Sequence, residues 1–174
     1  APPPPALRRL REARVLARYP LLAARRRPAR PSPDPARVLV VQPGHFGDVV
    51  LTSALLRALH DDPRVRQVGL LAGFADDELR PLLPWVDAFY RLRLAPFWPG
   101  GRDWPGGLRA VRAGGWSCAL AARPDYLTTV AAFLTGAPAV IGETGGDYDE
   151  LLTHPLPPLL TDGAVPLYEG ERLA

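Results

Sequence analysis

The chain has no lysine and no methionine, a single cysteine (Cys118) and three widely spaced histidines. Each scarcity excludes something. Without lysine there is no Schiff base and no phosphate loop of the GxxxxGK[ST] kind. One cysteine cannot build a disulfide framework or a thiolate zinc site, and His45, His60 and His154 stand too far apart for a local metal motif. No apolar run approaches the roughly 20 residues of a membrane span, and no signal-type apolar stretch opens the chain. The missing methionines include an initiator, so the 174 residues are read as a fragment or a processed chain.

What is present suits one packed domain: 47% of residues are hydrophobic and 22% charged, enough apolar surface for a core. All the basic residues are arginine, and they are unevenly placed. Residues 1–36 hold nine arginines against Glu12 and Asp34, whereas residues 37–174 carry more acids than arginines. The basic character therefore belongs to a tail. The mildly acidic body offers no basic face with interleaved aromatics, so no nucleic-acid partner is expected. Within the tail, Leu7, Leu10, Ala13 and Ala17 recur at helical spacing up to Pro20. Two readings stand: a solvated extension dispensable for folding, or a basic amphipathic segment (residues 6–27) lying on an anionic membrane surface.

From Arg37 the pattern alternates between short β-branched runs and helical spacing. Strands are expected at 38–41, 68–71, 88–92, 118–122 and 139–141. Helices are expected at 49–59, 76–83, from Pro105 through 108–113, and at 126–134. This order predicts an α/β fold with a doubly wound, Rossmann-like parallel sheet. The domains read as a Pro/Arg-rich extension (1–36), a Rossmann-like unit (37–142) and a proline-rich connector (143–174).

In such a sheet ligands bind outside the carboxyl ends of the strands. The first such end is Gln42-Pro43-Gly44-His45-Phe46-Gly47-Asp48, leading into a helix. Gly44 and Gly47 suit a sharp turn and a close backbone approach. The spacing is not that of the dinucleotide fingerprint, and no acidic residue closes the second strand, so NAD is not expected. Asp48 has two readings here, a helix N-cap or a catalytic carboxylate. His45 and Phe46 are loop candidates for sugar contact or residues without a role. Thr52, one turn further on, and Arg123 and Asp125, at the fourth strand end, are candidate acceptor contacts. His60 and His154 read as surface or capping residues.

The stretch RVLVVQPGHFGDVVLTSALLRAL at 37–59 resembles the opening of glycosyltransferase family 9, which contains the ADP-heptose:lipopolysaccharide heptosyltransferases. GLLAGFADDEL at 69–79, LLPWVD at 82–87 and LTGAPAVIG at 134–142 are similar to later blocks of that family. The resemblance implies a GT-B enzyme, of which this chain is the N-terminal, acceptor-binding half and a C-terminal domain the donor half. It implies sugar transfer from a nucleotide sugar such as ADP-heptose to a glycan or glycolipid acceptor of the cell envelope, such as a lipopolysaccharide core. No cofactor and no metal are expected. The place implied is cytoplasmic, peripheral at the inner face of the plasma membrane. Asp48 falls on the family's catalytic base, and Gly44, His45, Phe46 and Gly47 on its substrate-binding loop. The stretch Arg123-Pro124-Asp125-Tyr126 and Glu143 depart from the family pattern. The alternative is a non-catalytic Rossmann-like module that binds glycan or a partner.

Overall fold

The computed structural model describes residues 36–73, 79–91, 104–146 and 148–158. The tail, the first residues of the expected helix at 76–83, Leu92 and the last sixteen residues lie outside this set.

The elements run β1 (Arg37–Gln42), α1 (Phe46–Leu51), α2 (Ser53–Asp61), β2 (Gln67–Ala72), β3 (Ala88–Arg91), α3 (Trp104–Ala113), β4 (Cys118–Ala121), α4 (Tyr126–Leu134), β5 (Ala139–Glu143), a 3-10 turn (Asp149–Leu151) and β6 (His154–Leu156). The strands form one sheet in the order β3-β2-β1-β4-β5-β6. Every neighbouring pair is parallel. This is the doubly wound, Rossmann-like α/β arrangement expected from the alternation of patterns.

β1 explains why helices cover both faces. Val38, Leu39, Val40 and Val41 are all almost fully buried, and successive side chains of a strand point to opposite faces. Leu39 and Val41 pack with Leu108 and Val111 of α3 and Ala131 and Ala132 of α4. Val40 packs on the other face with Val49, Leu56, Leu79 and Leu83. A strand that is apolar on both sides needs a layer on each. Trp116, just before β4, closes the first face; its ring lies over Gly69 of β2, where a Cβ would collide with it.

Four details differ from the sequence reading. The helix expected at 49–59 begins at Phe46 and is split at Thr52. The Thr52 hydroxyl donates to the Asp48 carbonyl at 2.7 Å, the back-bonding that bends helices at Ser and Thr. Of the helix expected at 76–83, Leu79 is the last helical residue and 80–82 are turn, with the Leu82 and Leu83 N–H groups both donating to the Leu79 carbonyl. β5 extends two residues further, to Glu143. The sheet also continues past residue 142, because β6 adds a parallel strand whose Pro155 pairs with Gly142. Proline is tolerated there because β6 is an edge strand.

Cys118, on β4, is buried, and burial pushes its thiol up to about 12. The unfolded thiol ionises near about 8.5. Between these values the folded chain keeps a proton that the unfolded chain has lost, so stability falls as pH rises from roughly 8.5 to 12. We expect a thiol reagent at pH 8 to leave Cys118 untouched in the native protein and to label it after urea unfolding. Native labelling at the rate of a free thiol would mean that β4 is not buried.

Candidate functional site

The order of strands reverses direction between β1, which leads to β2 on one side, and β4 on the other. The carboxyl ends of these two strands bound the crevice in which doubly wound sheets bind ligands. The loop after β1 and the loop after β4 supply the polar groups there.

Gln42 ends β1 with its side chain buried. Its Oε1 accepts the Gly44 N–H at 3.4 Å and its Nε2 donates to the Thr52 hydroxyl at 3.4 Å. That hydroxyl in turn holds the Asp48 carbonyl. The buried amide thus ties the loop to the bend between α1 and α2. Nothing in periodicity singled out Gln42; the signal available was a polar residue closing a fully apolar strand.

His45, not Asp48, is the N-cap of α1, and Asp48 is the third residue of that helix. Asp48 Oδ2 accepts the His45 N–H at 2.9 Å, the reach-back half of a capping box. The same oxygen accepts Nη1 of Arg123 at 2.9 Å. Among the described residues, no hydrogen bond engages Oδ1. The Asp48 side chain keeps 17% of its surface exposed and that of Arg123 35%, so the pair stands at the wall of the crevice.

The other candidates divide. His45, Phe46 and Gly47 are exposed at the start of α1, beside the Asp48 carboxylate. Thr52 is fully buried and spends its hydroxyl on Gln42 and Asp48, so it is a structural residue beneath the site. Asp125 is the N-cap of α4: Oδ1 accepts the Thr128 N–H at 2.9 Å and Oδ2 the Thr128 hydroxyl at 3.1 Å. Its Oδ2 also lies 3.5 Å from Arg123 Nε. The structure therefore joins Asp48, Arg123 and Asp125 in one chain of contacts across the strand-order reversal.

Neither Gly44 nor Gly47 has a positive φ; what differs is space. A Cβ on Gly44 would stand 2.6 Å from Asp48 Oδ2 and 3.0 Å from Gln42 Oε1, whereas one on Gly47 would meet nothing within 4 Å. A larger residue at 44 would therefore have to push the Asp48 carboxylate aside. On the far side of the crevice Tyr126 and Tyr148 meet edge to face at 6.5 Å, with Tyr148 in the left-handed region at φ 71°.

Among the described residues no group of three His, Cys, Asp or Glu side chains could hold a metal ion, and no helix is long and apolar enough to cross a membrane. Two cavities, of about 460 and 640 Å³, lie at the opposite, amino end of the sheet, around Trp116 and Arg37.

No family model matches the chain, and no curated protein sequence matches it. Solved structures are similar to it, two of them glycosyltransferases. The family 9 glycosyltransferase from Veillonella parvula aligns with 64% of this chain at 21% identity and a TM-score of 0.52. The ADP-heptose lipopolysaccharide heptosyltransferase II of Escherichia coli aligns with 63% at 19% identity and a TM-score of 0.46. The aligned region covers 33% and 31% of those proteins, so this chain spans about a third of their length. The likeness to the Veillonella protein shows a shared fold.

The contrast between the two glycines is testable by urea unfolding. Gly47→Ala gains helix propensity, worth up to about 1 kcal/mol, in open space. Gly44→Ala forces the carboxylate and the Gln42 amide apart and costs about 1–3 kcal/mol. Equal effects of the two substitutions would mean that Asp48 does not stand against Gly44.

Proposed function

We propose that the chain is the acceptor-binding half of a glycosyltransferase, heptosyltransferase-like, and that Asp48 is its general base. The observation that carries this reading is the Asp48 carboxylate at the strand-order reversal, fastened through Oδ2 and leaving Oδ1 without a hydrogen bond among the described residues. The donor is a nucleotide sugar such as ADP-heptose, held by a second domain, and the acceptor a glycan or glycolipid of the cell envelope such as a lipopolysaccharide core. The enzyme acts on the cytoplasmic side, at the inner face of the membrane, with the basic residues 6–27 against anionic lipid.

The chemistry follows from the carboxylate. As the acceptor hydroxyl oxygen attacks the anomeric carbon, Asp48 Oδ1 takes the hydroxyl proton. The bond from that carbon to the diphosphate breaks, and its electron pair leaves with the nucleoside diphosphate. A single displacement of this kind inverts the anomeric centre. It calls for one base on the face opposite the leaving group, which is why one carboxylate suffices.

Asp48→Asn separates chemistry from structure. The Asn carbonyl oxygen can take the place of Oδ2 and still accept from His45 and Arg123, so unfolding should change little. The amide cannot accept the proton, and with the donor half present turnover should fall by about 10²–10⁴-fold. Substrate binding should stay nearly the same, since the lost interaction acts in the transition state. Asp48→Ala removes the bonds to both His45 and Arg123 and should cost about 1–3 kcal/mol of stability. Near-normal turnover of Asp48→Asn beside a destabilised Asp48→Ala would make Asp48 a structural residue alone.

A further inference from the structure

We propose that Arg123 is the positioning residue for Asp48, and that Asp125 sets Arg123 in turn; this rests on the reading of Asp48 as the base. Arg123 reads from sequence as an acceptor contact, but its guanidinium is already engaged. Nη1 donates to Asp48 Oδ2 at 2.9 Å, and Nε faces Asp125 Oδ2 at 3.5 Å. A guanidinium presents donors in fixed, divergent directions, which lets one side chain hold two carboxylates at once. Lysine, a compact charge on a flexible stem, cannot fix both.

The support behind Arg123 is rigid. Asp125 is anchored by two hydrogen bonds to Thr128 at the start of α4, and Thr128 is buried. Pro124, between the two, is pinned from the other side by Gly146, where a Cβ would run into the Pro124 carbonyl. The loop after β4 is thus held between α4 and the loop after β5. From there Arg123 reaches across the strand-order reversal to a carboxylate on α1. With His45 N–H and Arg123 both on Oδ2, rotation of the carboxyl group is stopped and Oδ1 stays turned away from its partners. Positioning of this sort matters because a misplacement of about 1 Å can cost about 10²-fold in rate.

The test has two arms. In this chain, the His45 amide signal in nuclear magnetic resonance reports the Oδ2 bond. Arg123→Gln should shift it and speed its hydrogen exchange, with a smaller effect in Arg123→Lys. Asp125→Ser keeps a good cap for α4 but removes the second carboxylate, and should change the same signal in the same direction. In the transferase with its donor half, Arg123→Gln should lower kcat about 10–100-fold with acceptor KM within about twofold. Asp48→Asn combined with Arg123→Gln should be no slower than Asp48→Asn alone, because the two act through one group. A raised acceptor KM with kcat kept would make Arg123 an acceptor contact and overturn the proposal, as would an unmoved His45 amide. A responsive amide in a protein that transfers no sugar would overturn instead the catalytic reading on which the proposal rests.

Discussion

The structure depends on the burial of β1 from both faces. Val38 to Val41 lose nearly all contact with water, and each such side chain contributes about 1.5–3 kcal/mol when fully buried. That burial needs α1 and α2 on one side and α3 and α4 on the other. Helices on both sides require the chain to wind outward from β1 in both directions. The reversal in strand order between β1 and β4 is therefore a consequence of apolar burial, and the crevice comes with it.

The candidate site is held on that scaffold by short polar links. Gln42 carries the rigidity of β1 into the loop, and Thr52 passes it to the carbonyl of Asp48. The carboxylate of the same residue is held from the front by the His45 N–H and from across the crevice by Arg123. A side chain on a six-residue helix would otherwise be loosely placed. Gly44 leaves the carboxylate the room to lie this close to the loop.

Much of this was legible in sequence. The β-branched run at 38–41, the glycines and the acid before a helical pattern located β1, the loop and Asp48. The helix at 126–134 and the strands at 88 and 118 were placed within a residue. What was not legible depends on contacts distant in sequence or on side chains that compete with the backbone. The split at Thr52 comes from a hydroxyl that prefers the carbonyl four residues back. Asp48 reads as a cap until His45 is seen to take that place. β6 is three residues long and contains proline, so only its pairing with β5 reveals it. Arg123 and Asp48 are 75 residues apart, and no local pattern joins them. An exposed acid after a strand suits a ligand contact or a cap, and only the bonds from Thr128 show that Asp125 caps α4.

As the proposed base, Asp48 must turn Oδ1 toward the reacting hydroxyl. The most direct measurement is a crystal structure of the Asp48→Asn enzyme, donor half included, with acceptor and nucleotide sugar bound. The acceptor hydroxyl oxygen is expected at about 2.6–3.2 Å from the group replacing Oδ1, with the anomeric carbon in line beyond it. An acceptor hydroxyl bound away from the end of β1, with another side chain placed to take its proton, would contradict it.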